Sequence, residues 1–154
     1  MTSSATRPAS AQLAPDIPVR RVWRGAVIAA AAATAAIELY AAAVRALGVP
    51  MKAGFLGAST ASPLTAASFA TGVLVCTFWG AVLATILAKK AAQPARVFMI
   101  IAAALTAVSL AVPAGAAGTA AATKLALAGA HILVAGIVIP ILARHLRPAR
   151  RPGI

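Results

Sequence analysis

Few side chains in this 154-residue chain could do chemistry: the acids Asp16 and Glu38, the histidines His131 and His145, and one cysteine, Cys76. Glu38 sits within "AIELYAAAVRALG" (36–48), an alanine-rich apolar run whose only other charge is Arg45. A carboxyl and an imidazole at one depth of a low-dielectric helix bundle would be coupled, with shifted proton affinities, and proton-linked carriers work in this way. A hydrogen bond tying two helices together explains the same pair and is the more common use of polar residues in membranes. Other chemistries fare worse. A Ser/His/Asp arrangement is absent, because the only acids are Asp16 in the tail and Glu38. A metal site would have to draw on Glu38, His131 and Cys76, whose spacing does not support one. His145 adjoins Arg144, which makes a haem bridged to His131 awkward. A single cysteine excludes an intramolecular disulfide or a two-cysteine relay within this chain. Neither an enzyme nor a cofactor is expected.

The elements that must position these residues follow from composition. Hydrophobic residues make up 62% of the chain and charged residues 10%, and the mean hydropathy is +0.93. Soluble domains are about a quarter charged, so much of this apolar surface must face lipid. The net charge of +12 would suit nucleic acid if the cations shared one face. They lie instead at the edges of apolar runs, where membrane topology needs them, and no nucleic-acid partner is expected. Heavy use of alanine, glycine, proline and arginine suggests a high-GC bacterial source.

A span needs roughly 20 apolar residues, and four segments supply them: about 24–48, 67–88, 97–117 and 124–144. The expected fold is all-α, an integral membrane bundle of four transmembrane helices. The first run is long, carries Glu38 and follows a polar tail, which argues for a retained helix over a cleaved signal peptide. Residues 1–19 read as a disordered tail, 20–146 as the transmembrane domain, and 147–154 as a basic C-terminal tail.

Lysines and arginines set the orientation. One side carries Arg7, Arg20, Arg21, Arg24, Lys89, Lys90, Arg96, Arg144, Arg147, Arg150 and Arg151; the other carries only Arg45, Lys52 and Lys124. Both termini are therefore expected in the cytoplasm, in a multi-pass protein of the plasma membrane. Arg144, Arg147, Arg150 and Arg151 are candidate contacts for anionic lipid headgroups, though a topology signal alone fits them equally. The outer link (49–66) is long and apolar, with Met51, Phe55 and Leu56 placed to lie at the interface or to meet a partner.

Packing in lipid relies on small residues that let backbones approach. Four-residue stripes run through Ala26, Ala30, Thr34, Glu38, Ala42 and Ala46, and through Gly72, Cys76, Gly80, Ala84 and Ala88, where Cys76 is expected to be a small buried residue. Pro140 should bend the fourth span, because it cannot donate to the Gly136 carbonyl. Glu38 lies about ten residues inside the first span, roughly 15 Å deep. His131 comes out roughly 10 Å deep and Thr106 and Ser109 roughly 12–16 Å deep on the same count. Glu38, His131, Thr106 and Ser109 thus form a candidate intramembrane polar site, with His131 the favoured neighbour of Glu38.

The segment "SLAVPAGAAGTAAATKLALAGAHILVAGIVIPILARHLRP" (109–148) resembles the C-terminal half of an actinobacterial family of small four-span membrane proteins of unknown function. The matching positions are Pro113, Leu125, Ala126, Leu127, His131, Ile139, Pro140, Leu142, Ala143 and Arg144. The resemblance extends over about 20–147, implies four spans and no known activity, and makes His131 part of the pattern while Glu38 departs from it. A looser similarity is to small multidrug-resistance exporters, which also have four short spans and a glutamate in the first; their aromatic chamber has no counterpart here. Two functions are therefore expected: a non-enzymatic membrane protein acting through lipid, a protein partner or its own copies, or a small proton-coupled transporter using Glu38 with His131.

Overall fold

A computed structural model describes residues 17–54, 60–116 and 118–147. Its elements are α1 (Val19–Ala46), β1 (Lys52–Ala53), β2 (Ser62–Pro63), α2 (Ala66–Lys90), α3 (Pro94–Ser109), α4 (Ala111–Gly115) and α5 (Ala121–His145). With α3 and α4 taken as one segment, four helices are long and apolar enough to cross a membrane: Val19–Ala46, Ala66–Lys90, Pro94–Gly115 and Ala121–His145. The all-α four-span architecture is present. Most of the N-terminal tail (1–16), Phe55 and Leu56, and the end of the C-terminal tail with Arg150 and Arg151 lie outside the described residues.

Local chemistry sets the ends of the helices. α1 begins about five residues before its apolar run, because Val22 is fully buried and draws the arginine-rich first turn onto the bundle. Thr65 and Ser68 form a capping box at the start of α2, each side chain accepting from the other's backbone N–H at 3.3 Å. The short link 91–93 ends at Pro94, whose missing N–H suits the first turn of α3. The third span changes from α3 to α4 at Leu110, whose N–H is shared between the Thr106 and Ala107 carbonyls. Pro113, three residues on, leaves the Ser109 carbonyl without its helical donor, which accounts for the break. α5, by contrast, runs unbroken through Pro140.

α1 packs on α5 and α2, and α3 packs on the same two helices, so α1 and α3 lie across the bundle from each other. The buried seam of α1 is Val22, Ala26, Ala29, Ala33, Ile37, Ala41 and Val44, rotated from the expected stripe, so Ala42 and Ala46 are exposed. On α2 the buried seam is Phe69, Val73, Thr77, Ala81, Ala84 and Ala88. Gly72 and Cys76 are exposed, which corrects the expectation of a buried Cys76. The alanines of α1 already provide a shallow surface, so α2 can present Phe69 and Val73 there in place of its small residues.

The end of the bundle that holds the link between α1 and α2 is tied together. β1 and β2 pair antiparallel, Lys52 with Pro63 and Ala53 with Ser62. The Thr123 hydroxyl donates to the Pro50 carbonyl, and the Gly54 N–H donates to the Thr119 hydroxyl at 3.2 Å. Met51, expected at the interface, is buried in the core instead, because this strap folds it inward.

Candidate functional site

The polar side chains at membrane depth attach mainly to the backbone of their own helices. His131 Nδ1 lies 2.8 Å from the Leu127 carbonyl, Thr106 donates to Ala102 at 2.8 Å, and Ser109 to Thr106 at 2.7 Å. Thr85 likewise donates to Ala81 at 2.7 Å. Each hydroxyl thus satisfies itself one turn back along its helix. Glu38 is half-buried; its Oε1 is buried with no hydrogen-bond partner, as is the hydroxyl of Thr77. Among the described residues no hydrogen bond or ion pair joins Glu38 to His131, Thr106 or Ser109.

Tyr40 explains why that pairing does not form. Its hydroxyl donates to the Ala126 carbonyl of α5 at 2.9 Å, which fixes the side of α1 that faces α5. Glu38 precedes it by two residues, about 200° around the helix, and so points away from α5 and His131. It shares instead the flank of Arg45, whose guanidinium stands 6.0 Å from the centre of the Phe69 ring on α2. Thr106 lines a separate open groove of about 450 Å³ between α3 and α5, with Ile132, Gly136 and Pro140. The four expected site residues are therefore divided between the α1–α2 and α3–α5 sides of the bundle.

Two glycines let side chains of α1 and α5 seat against the opposite backbone. A Cβ on Gly129 would come within 2.5 Å of the Tyr40 hydroxyl, and one on Gly25 within 2.6 Å of the His145 ring. Each glycine is a notch filled by a ring from the opposite helix, and the two notches lie toward opposite ends of the antiparallel α1–α5 pair. Sequence reasoning missed this. The available signal was a lone tyrosine and a glycine whose depths correspond when the two helices run antiparallel.

The opposite end, where α1 starts and α5 stops, carries the cations. Arg20, Arg24, Lys89, Lys90, Arg96, Arg144 and Arg147 are all exposed there, and no ion pair occurs among the described residues. Arg20, Trp23, Arg24 and Val27 line an open hollow of about 460 Å³. Beside it the Trp23 and Phe78 rings lie 5.7 Å apart, and Phe78 meets Trp79 edge-on at 5.5 Å. Among the described residues no three of His, Cys, Asp and Glu come together.

These features define a multi-pass membrane protein: four apolar helices, a strapped end and a basic end. The sequence profile of the family of unknown function DUF6069 matches residues 17–148. The chain belongs to that family. No curated protein and no solved structure matches it.

Proposed function

We propose that this is a non-enzymatic protein of an actinobacterial plasma membrane, with both termini cytoplasmic. It acts through contacts with anionic lipid headgroups at the cytoplasmic face and with a membrane-protein partner or a second copy of itself. One observation carries the reading: His131, Thr106, Ser109 and Thr85 bond to backbone within their own helices, while the cations of the basic end remain free for lipid. A carrier needs a hydrated cavity lined by several polar groups, whereas the α3–α5 groove is lined almost wholly by apolar residues.

Reporter fusions test the orientation. Fusions after residue 92 and at the C-terminus should both read as cytoplasmic, and one at Ser59 as external; an external C-terminus overturns the arrangement. The alternative reading, proton-coupled transport through Glu38 with His131, draws support from the unpartnered Glu38 Oε1. It requires substrate-dependent proton movement in proteoliposomes that Glu38→Gln abolishes without unfolding the protein. Proteoliposomes that move no protons leave the non-enzymatic contact reading in place.

A further inference from the structure

Arg20, Trp23, Arg24 and Val27 recur at helical spacing, so they form one stripe on the first turns of α1, where they line the open hollow. The stripe continues sideways through ring contacts, Trp23 to Phe78 and Phe78 to Trp79. Trp23, Val27, Phe78 and Trp79 are all large apolar side chains left exposed. Two guanidiniums therefore stand at the edge of a ladder of apolar surface that leads toward the middle of the span.

Among the described residues the charges above this ladder have no counterpart. Glu38 is the one acid among the described residues, and it lies about 14 residues beyond Arg24, roughly 21 Å along the helix. A guanidinium pair offers planar, bidentate donors that suit a phosphate. Trp23, between the two arginines along the helix, is the residue type that settles at headgroup level.

We propose that this stripe binds one anionic phospholipid. Its phosphate lies between Arg20 and Arg24, and one acyl chain runs along Trp23, Val27, Phe78 and Trp79. A net negative headgroup matches two guanidiniums that have no carboxylate partner among the described residues, so the site selects net negative charge. This rests on the lipid-contact reading above and assigns that contact to a particular place.

The two tryptophans of the chain are both in the ladder and report on it directly. The full chain is reconstituted in phosphatidylcholine vesicles that contain a small equal fraction of either phosphatidylglycerol or phosphatidylcholine with brominated acyl chains. Trp79→Phe isolates Trp23. Brominated phosphatidylglycerol should quench Trp23 more strongly than the brominated choline lipid. Arg20→Gln and Arg24→Gln should each weaken the apparent affinity about fivefold, and together should remove the preference. Arg20→Lys with Arg24→Lys should keep part of it, which separates loss of charge from loss of fold. Arg144→Gln with Arg147→Gln should leave it intact. A preference that survives Arg20→Gln with Arg24→Gln but disappears with Arg144→Gln and Arg147→Gln overturns this site while the broader lipid-contact reading stands. Equal quenching by the two lipids in the unaltered protein overturns the site, and if vesicle binding of the whole chain also ignores lipid charge, the broader reading falls with it.

Discussion

Two cations at the strapped end are tied to the backbone, whereas the described ones at the basic end are not. At the strapped end Arg45 donates to the Leu64 carbonyl at 3.0 Å, and Lys124 donates to the Ala114 carbonyl at 3.0 Å. Lys124 thus closes a carbonyl in the last turn of α4, and Arg45 one in the link just before α2. At the basic end no arginine or lysine side chain bonds to anything described, and the cations point outward from Arg20 round to Arg147. A cation spent on a carbonyl contributes to the fold and has little left for lipid; a cation without a partner contributes to what the surface attracts. Residue type is the same at both ends, so the difference comes from what each helix terminus places within reach.

The largest expected effect tests whether the α1–α5 notches bind the two ends into one unit. Gly129→Leu forces the Tyr40 ring out of its seat and should cost about 1–3 kcal/mol, the usual range for overpacking. Thermal unfolding in detergent measures it. Adding Tyr40→Ala should recover part of the loss, and no recovery would mean that the notch does not control the contact.

Next comes Glu38. Its Oε1 is buried without a partner, and an unpaired buried polar group costs about 1–3 kcal/mol. Glu38→Leu should therefore stabilise the protein by about 1–2 kcal/mol in the same assay. This reverses the order that an inter-helix bridge predicts, in which Glu38→Gln is tolerated and Glu38→Leu is not. Marked destabilisation by Glu38→Leu would restore the bridge.

A smaller effect sharpens the contrast between ends. Arg45→Ala and Thr123→Val each remove one hydrogen bond that ties the strap and should each cost about 1 kcal/mol or less. Arg144→Gln and Arg147→Gln, unpartnered at the other end, should leave unfolding within about 0.5 kcal/mol of the parent. These two should weaken only the charge- and salt-dependent attraction to anionic vesicles, where each cation contributes about 1 kcal/mol. Equal stability losses at both ends would remove the distinction.

Much of this protein was determined by sequence alone. The number and approximate limits of the spans, and the placement of cations at their edges, follow from run length and hydropathy, because lipid demands an apolar helix about 30 Å long whatever its neighbours are. The end of the third span, read at about residue 117 and found at Gly115, was legible for the same reason. Rotation about each helix axis was not legible. A one-residue shift in the buried seam turns a face by about 100°, and α1 is so rich in alanine that hydropathy barely distinguishes its sides. That shift exposed Cys76 and carried Glu38 to the α2 flank, away from His131. Depth could therefore be counted from the sequence while direction could not. Direction was decided by the tertiary contacts of Tyr40 against Gly129 and His145 against Gly25, since a ring needs a backbone without a side chain to lie on, and only the packed pair of helices provides it.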